Sequence, residues 1–310
     1  MKRLLAAAAM VISTISFATP AFPWGSAVHA HIDGKLGKQG LLDTQERYGG
    51  MGMDAFNFSF SNPAVAAYLY GQTHTGFMKV WDAARLPAGK ALAFGFVSHN
   101  DVWGADVTAH HNGLTFGQGQ GYVIAKAEIL KGILEQNPKF AALNLPDPVV
   151  REIAHNFIEY GSDILLKRID PHIGEKIIIS ALGRSPEFPL LLVKAYGEGL
   201  ASTAGMSGLE ASRLIIATEM EFRKTMIAYG QALTMDEATA LQLFAEQLAA
   251  LSTGFLAAYG IVLPDGVDLV PLAKAGIQGA MLLCAPDFSG EVAATVEEVA
   301  LQLKAHGVMY

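Results

Sequence analysis

The sequence predicts an all-α protein. Long stretches rich in Ala, Leu, Glu and Lys carry apolar residues at spacings of three and four, the period of a helix that buries one face. Strictly alternating apolar and polar runs bounded by hairpin turns, which indicate half-buried strands, are scarce. A hydrophobic fraction of 51% with a charged fraction of 16% is enough for a well-buried core and excludes an intrinsically disordered chain.

The beginning of the chain has the pattern of a secretory signal peptide, which we predict for residues 1–21. Lys2 and Arg3 precede the apolar run "LLAAAAMVISTISFA" and a small-residue segment suited to cleavage after Ala21. We therefore expect export, either to the periplasm or to the medium. Later apolar segments are interrupted before they reach the roughly 20 residues that span a bilayer, so we expect the mature chain to be soluble. Cys284 is the only cysteine, which excludes an intramolecular disulfide and makes thiolate metal sites implausible.

Segments that contain Gly and Pro, such as "NLPDP" and "VLPDG", divide the helical pattern. The predicted helices span residues 26–39, 62–70, 75–84, 88–103, 121–136, 147–168, 172–182, 190–201, 208–233, 236–259, 267–283 and 290–306. We interpret residues 22–185 as a helical region that carries the chemistry, and residues 186–310 as further helices packed on it as one unit. The distribution of histidine supports this division, since only His172 and His306 of the 9 histidines lie in the second half.

The stretch "SHNDVWGADVTAHH", residues 98–111, has the highest density of potential metal ligands in the chain. On a continuous helix, His99, Asp106 and His110 stand at i, i+7 and i+11, within about 20° of a common line. Such a helix would present all three side chains on one face, while Asp101 would point to the opposite side. The Trp-Gly pair inside the stretch can break the helix, so this alignment is a hypothesis.

Other segments supply similar side chains. His155 and Glu159 are four residues apart, one helical turn, and can chelate a divalent ion together. Asp54 and His74 lie in segments with Gly and aromatic residues that resemble loops. Each feature alone is more typical of a turn or a surface site. Together the candidates are N and O donors without sulfur, as in catalytic Zn²⁺ sites: Asp54, His74, His99, Asp106, His110, His155 and Glu159.

These ligands are too many for one ion, so we expect two or more metals bridged by a carboxylate. That arrangement suits displacement at a phosphoryl centre, because the metals generate hydroxide near neutral pH and hold the attacking and leaving oxygens.

The order of the segments resembles the zinc-dependent phospholipase C family, whose helical fold is shared with fungal single-strand-specific nucleases and with the amino-terminal domain of glycosylphosphatidylinositol-specific phospholipase D. The family order is an N-terminal Trp and a His, a loop Asp, a His, a helix with His, Asp and His, and a helix with His-x-x-x-Glu. The matching residues lie within 24–165. The resemblance implies a phospholipase C/nuclease-like metal-binding bundle with additional C-terminal helices.

By this resemblance, Asp54, His74 and His99 hold a first zinc, with Asp106 bridging. His110, His155 and Glu159 hold a second. A third would take Trp24, His29 and Asp106, so two or three Zn²⁺ ions are expected. The resemblance also makes Asp54 the candidate general base for the attacking water.

The sequence departs from the family pattern at two places. His99 and Asp106 are seven residues apart, whereas the phospholipase C pattern has four; the spacing of Asp106 to His110 resembles the phospholipase D branch and favours Asp106 over Asp101 as the bridging residue. In the family, a third zinc uses the free amino group of a Trp exposed by signal cleavage. Here two residues separate Trp24 from the predicted cut, so the terminus is trimmed later, or the third site is altered with His31, or it is absent.

We therefore expect an exported zinc-dependent phosphodiesterase, with phospholipase C-type hydrolysis of phospholipids as the leading reading. A nuclease or nucleotidase with the same metal centre is one alternative, and a noncatalytic zinc-binding helical protein is another. A net charge of −7 with no basic stripe favours a phospholipid or other small phosphodiester over long nucleic acid, with transient membrane-surface contact. Head-group preference and oligomeric state stay open.

Overall fold

The computed structural model describes residues 24–38, 40–57, 63–263 and 266–310. The predicted signal peptide, Phe22 and Pro23 lie outside these ranges. All regular elements of the described residues are helices, so the all-α prediction is confirmed. They are α1 Ser26–Leu36, α2 Asp43–Gly52, a 3₁₀ helix Met53–Phe56, α3 Pro63–Thr75, α4 Met78–Ala83, α5 Pro87–His99, α6 Ala105–His110, α7 Tyr122–Gln136, α8 Pro138–Ala141, α9 Asp147–Leu166, α10 Ile173–Gly183, α11 Glu187–Ala204, α12 Gly208–Thr234, α13 Glu237–Ala258, α14 Val270–Cys284 and α15 Phe288–Ala305.

The predicted helix over 88–103 is wrong at its C-terminal end, because α5 stops at His99 and α6 begins at Ala105. Gly104 shows why the chain turns here. A Cβ atom at this position would lie 2.5 Å from the Ser98 carbonyl oxygen, so only glycine fits the turn. The side-chain oxygen of Asn100 accepts hydrogen bonds from the backbone N–H groups of Val102 and Trp103, which stabilise the turn.

Helix α2 was not predicted, because its "YGGMG" segment has the composition of a loop. In the structure these glycines bring α2 against α5. A Cβ on Gly49 would lie 2.0 Å from the Leu92 carbonyl oxygen, and one on Gly95 would lie 1.9 Å from the Glu46 carbonyl oxygen. The two backbones therefore touch, and the tertiary contact outweighs the low helix propensity of glycine.

Helix α9 crosses the interior and carries polar side chains on a buried face. It begins with Asp147 and a proline in its first turn, which suits a helix start. His155, Glu159 and Asp163 follow one another at intervals of four and are all buried. The same helix also packs against α7 and α14.

The C-terminal helices belong to the same hydrophobic core as the N-terminal ones, a cluster that runs from Trp24 to Val308. They also supply polar anchors to the N-terminal half. The buried Glu291 carboxylate of α15 accepts hydrogen bonds from the backbone N–H groups of Leu114 and Thr115 in the loop after α6. Within the described part of the chain, no helix is both long enough and apolar enough to cross a bilayer.

Candidate metal centre

The structure brings the predicted His, Asp and Glu ligands into groups that could bind metal. They form three groups of buried or nearly buried side chains, and the potential ligand atoms of each group lie within 4.8 Å of one another. The groups are His29/His99/Asp106, Asp54/His74/His99 and His110/His155/Glu159. These side chains come from α1, the 3₁₀ helix, α3, α5, α6 and α9. Each group could therefore hold a metal ion.

Asp106 joins the first two groups. Its Oδ2 lies 3.0 Å from His99 Nε2 and 3.7 Å from His74 Nε2. Its Oδ1 lies 3.3 Å from His29 Nε2. The two carboxylate oxygens thus face different histidines, which is the placement that a bridging carboxylate needs.

Asp54 completes this arrangement. Its Oδ1 lies 3.5 Å from His74 Nε2 and 3.7 Å from His99 Nε2. The Asn57 side-chain N–H donates to the same oxygen over 2.7 Å. We expected Asp54 and His74 in loops, and this expectation is wrong: Asp54 lies in the 3₁₀ helix and His74 in the last turn of α3. Helices hold the two side chains more rigidly than loops would.

The outer nitrogens of the imidazoles are fixed by the backbone. His99 Nδ1 lies 2.6 Å from the Gly50 carbonyl oxygen, and His74 Nδ1 lies 3.0 Å from that of Tyr70. The His29 ring makes a hydrogen bond to the backbone of Trp24. Because a carbonyl accepts only an N–H, each ring is protonated on that side and turns the Nε2 lone pair inward.

Burial favours the neutral form of the His29 and His99 imidazoles. Desolvation lowers the pKa of His29 well below its usual range, and it also lowers the pKa of His99. A neutral ring is the protonation state that binds a metal.

Several side-chain atoms that face the interior of the three groups have no hydrogen bond within the described structure. They are Nε2 of His29, His74 and His99, both side-chain oxygens of Asp106, Oδ2 of Asp54 and Oε1 of Glu159. Burial also raises the pKa of the Asp106 and Glu159 carboxyl groups well above the usual range. An unsatisfied buried polar group costs about 1–3 kcal/mol, and a divalent cation held by these atoms would offset that cost. The donor set fits a metal.

The second part of the centre lies between α6 and α9. His110 Nε2 and His155 Nε2 are 3.3 Å apart, and Glu159 Oε1 lies 2.9 Å from His155 Nε2. Asp101 is on the other side of His110, with Oδ1 3.5 Å from His110 Nδ1 and 2.9 Å from His111 Nε2. Asp101 therefore supports His110 from outside, while Asp106 lies among the inward atoms.

The predicted alignment of His99, Asp106 and His110 on one continuous helix is wrong, because the turn at Gly104 separates α5 from α6. His99 and Asp106 still meet in one group, and His110 lies in the group with His155 and Glu159. Tertiary packing, rather than the repeat of a single helix, brings them together.

Trp24 is placed differently from the predicted ligands. Its buried indole N–H donates to Thr108 Oγ1 over 3.0 Å and its ring stacks on Tyr122 at a centroid distance of 5.2 Å. A ligand role for its amino group stays a prediction. His31 belongs to none of the three groups, and its Nδ1 lies 3.2 Å from an oxygen of Asp170.

Sequence reasoning missed Asp163, the side chain that ties the histidine-bearing helices together. Its two carboxylate oxygens accept the backbone N–H groups of Ala27 and Val28 at 2.9 and 3.0 Å and so cap the start of α1. Tyr229 of α12 donates to the same carboxylate over 2.6 Å. The position of Asp163, one turn after Glu159 on a helix already assigned to the site, was the available signal.

No protein-family model, curated protein or solved structure matches the chain. Its function is therefore inferred from the site itself.

Proposed function

We propose that the chain is a zinc-dependent phosphodiesterase that hydrolyses phospholipids in the manner of a phospholipase C. The observation that carries the proposal is the set of inward N and O atoms without hydrogen bonds, centred on an Asp106 carboxylate whose oxygens face different histidines. Sulfur-free donors of this kind suit Zn²⁺. We propose that His74, His99 and Asp54 hold one ion, with Asp106 shared, and that His110, His155 and Glu159 hold another.

Zinc at such a centre would supply Lewis acidity, a bound water of lowered pKa and contacts for phosphoryl oxygens. The residues of the chain then have separate tasks. Asp54 Oδ1 faces the imidazoles and accepts the Asn57 N–H, whereas Asp54 Oδ2 accepts no hydrogen bond within the described structure. Oδ2 is therefore the oxygen that we assign to the proton of the attacking water.

The negative net charge of the protein favours a small phosphodiester or a phospholipid as the substrate. The chain has a net charge of −7, and an Asp101 carboxylate oxygen lies 3.5 Å from His110 Nδ1. A long polyanion would be repelled, whereas a small phosphodiester or a phospholipid head group would not be excluded. We propose that the bond cleaved joins the glycerol oxygen to phosphorus, so that water adds to phosphorus and the products are diacylglycerol and a phosphorylated head group.

Export completes the proposal and depends on the basic, apolar and small-residue pattern of residues 1–21. Cleavage after Ala21 would give a mature chain that begins at Phe22. Sequencing the amino terminus of the secreted protein tests this directly, and a start at Trp24 would favour a third zinc with His29.

The test of function combines metal content with turnover. Elemental analysis of the purified protein should give two or three zinc ions per chain. A phosphatidylcholine analogue should be hydrolysed faster than single-stranded DNA or a nucleoside 3′-phosphate. Asp54→Asn should lower kcat by roughly 10²–10⁴-fold, the contribution of a general base, while most zinc is retained. Asp82→Asn, which changes an exposed carboxylate on α4, is the matched control and should change neither.

Each contrary result has a separate meaning. Nuclease activity alone would refute the lipid substrate. Stoichiometric zinc without turnover of any phosphoester would indicate a noncatalytic zinc-binding protein. A protein without stoichiometric metal would refute the proposal altogether.

A further inference from the structure

Asp33 of α1 is a buried carboxyl that belongs to none of the three groups of potential ligands, and the sequence did not single it out. It follows His29 by four residues, one helical turn. Its Oδ1 lies 2.5 Å from Oγ of Ser98, the residue before His99 on α5. Asp33 therefore connects the helix that carries His29 to the helix that carries His99.

The second oxygen of Asp33 faces α2. A Cβ atom on Gly50 would lie 1.6 Å from Asp33 Oδ2, so this oxygen packs directly on the Gly50 backbone. The carbonyl oxygen of the same Gly50 lies 2.6 Å from His99 Nδ1 and accepts its N–H. Asp33 thus touches both the residue before His99 and the residue whose carbonyl holds the His99 ring.

His29 and His99 form a pair whose geometry depends on how α1 lies against α5. Their rings stack with centroids 3.6 Å apart and an angle of 6°. In this arrangement the Nε2 atoms of His29 and His99 lie 3.3 and 3.0 Å from different oxygens of Asp106. A shift of α1 against α5 would change these distances, and a hydrogen bond between the two helices opposes such a shift.

The hydrogen bonds of Ser98 indicate the protonation state of Asp33. Ser98 Oγ lies 2.5 Å from Asp33 Oδ1 and 2.7 Å from the Gly95 carbonyl oxygen. A serine hydroxyl carries one proton, and a carbonyl oxygen can only accept. If Ser98 donates to Gly95, the proton in its contact with Asp33 belongs to Asp33. A neutral carboxylic acid satisfies both contacts, whereas an ionised carboxylate leaves one of them without a proton.

The surroundings of Asp33 also favour the neutral acid. Burial raises the pKa of Asp33 well above its usual range. Glu46 and Asp43 raise this pKa further, while Arg47 and the contact with Ser98 lower it. Asp33 Oδ2 has no hydrogen bond within the described structure, which costs less for the carbonyl oxygen of a neutral acid than for a charged carboxylate.

We propose that Asp33 is a positioning residue of the metal centre. As a neutral acid, Asp33 donates a hydrogen bond from Oδ1 to Ser98 Oγ, and Ser98 donates to the Gly95 carbonyl oxygen. These bonds set the spacing between His29 and His99. The inference rests on the metal-binding part of the proposed function, because the two histidines need an ion to hold, but it requires no hydrolysis of a phosphodiester.

The first experiment measures zinc affinity by chelator competition. Asp33→Ala removes the acid, and Ser98→Ala removes only the hydroxyl and keeps a good helix former in α5. We expect each variant to bind zinc about tenfold more weakly, as is typical of residues that support a metal ligand. Asp33→Asn should retain the affinity, because its amide N–H₂ can donate to Ser98 as the acid does. Ser180→Ala, which changes a buried serine of α10, is the matched control and should leave the affinity unchanged.

The second experiment reads the protonation state of Asp33 directly. Infrared difference spectroscopy compares the zinc-loaded unaltered protein with zinc-loaded Asp33→Asn at neutral pH. The unaltered protein should show the carbonyl stretch of a protonated carboxyl group that Asp33→Asn lacks. A side chain that only fills space would not produce this band.

Three results would overturn the inference: unchanged zinc affinity in both Asp33→Ala and Ser98→Ala, a tenfold loss in Asp33→Asn, or absence of the infrared band. Failure of the proposed function has a different signature. If the unaltered protein binds zinc and the two alanine variants bind it more weakly, but no phosphodiester is hydrolysed, the positioning role stands and the enzyme assignment is wrong. An unaltered protein that binds no zinc would refute both.

Discussion

Buried carboxylates at the metal centre differ from those in the C-terminal helices in what their oxygens contact. Glu291 of α15 is fully buried and accepts N–H groups of the loop after α6 with both oxygens. Glu219 of α12 is also fully buried and accepts the Tyr48 hydroxyl and the Arg184 guanidinium. In Asp106, which is equally buried, neither oxygen has a hydrogen bond within the described structure.

This difference separates buried carboxylates that stabilise the fold from those that are candidates to bind a metal. A buried carboxylate contributes to stability when donors satisfy it, and it costs stability when they do not. Glu291 and Glu219 fasten the C-terminal helices to the N-terminal half. Asp106 and Glu159 instead direct oxygens without hydrogen bonds at the Nε2 atoms of histidines, an arrangement that a bound cation would stabilise.

The largest expected effect is on metal binding, and it tests the contrast at Asp106. Asp106→Asn should weaken zinc binding by more than about a hundredfold, because two groups share this carboxylate. Removing a residue that only hydrogen-bonds to a metal ligand typically weakens binding by about 10–100-fold. Chelator competition followed by elemental analysis measures the affinity.

Asp101→Asn is the comparison for that change. Asp101 supports His110 from outside over 3.5 Å and is 25% exposed, so we expect a loss of about tenfold. Equal losses in the two variants, or the larger loss at Asp101, would show that the bridging assignment is wrong.

The pH dependence of stability should invert when zinc is bound. Burial raises the pKa of Asp106 and Glu159, and it raises the pKa of Asp163 to about 6. The native metal-free protein therefore binds more protons than the unfolded chain above about pH 4, and its unfolding free energy should fall as the pH rises from 4 through 6. A change of roughly 1–3 kcal/mol is expected for Asp163 alone.

With zinc present the contribution of Asp106 and Glu159 reverses sign, because protons compete with the metal for their oxygens, whereas the contribution of Asp163 stays. Urea unfolding at a series of pH values, with and without chelator, measures both curves. Parallel curves would contradict the assignment of Asp106 and Glu159 to a metal.

Glu291→Gln should affect stability only and leave metal binding unchanged. The Thr115 and Phe116 backbone N–H groups donate to an oxygen of Glu291, and the substitution can place an amide N–H₂ group against them instead. We therefore expect the unfolding free energy to fall by about 1–3 kcal/mol. Zinc stoichiometry should stay the same. In the metal-free protein Asp106→Asn should leave the unfolding free energy unchanged or raise it, whereas Glu291→Gln should lower it. The opposite changes in the two variants would contradict the distinction between the two kinds of carboxylate.

The sequence by itself determined the helical class and the membership of the centre. Apolar spacing identified α7, α9 and α12, since each is long and carries buried apolar residues at helical intervals. The donor types also needed no structure, because His, Asp and Glu without usable Cys point to a metal with N and O ligands.

Only the tertiary structure decided how those residues meet. Gly49 lies in a segment with the composition of a loop, but the missing side chains of Gly49 and Gly95 allow α2 and α5 to touch, which brings the Gly50 carbonyl to His99. The break at Gly104 and the inward position of Asp106 depend on contacts between distant segments. Helical period relates residues along one axis, whereas a metal centre is built across several axes. The candidate ligands could therefore be identified from the sequence, but their geometry could not.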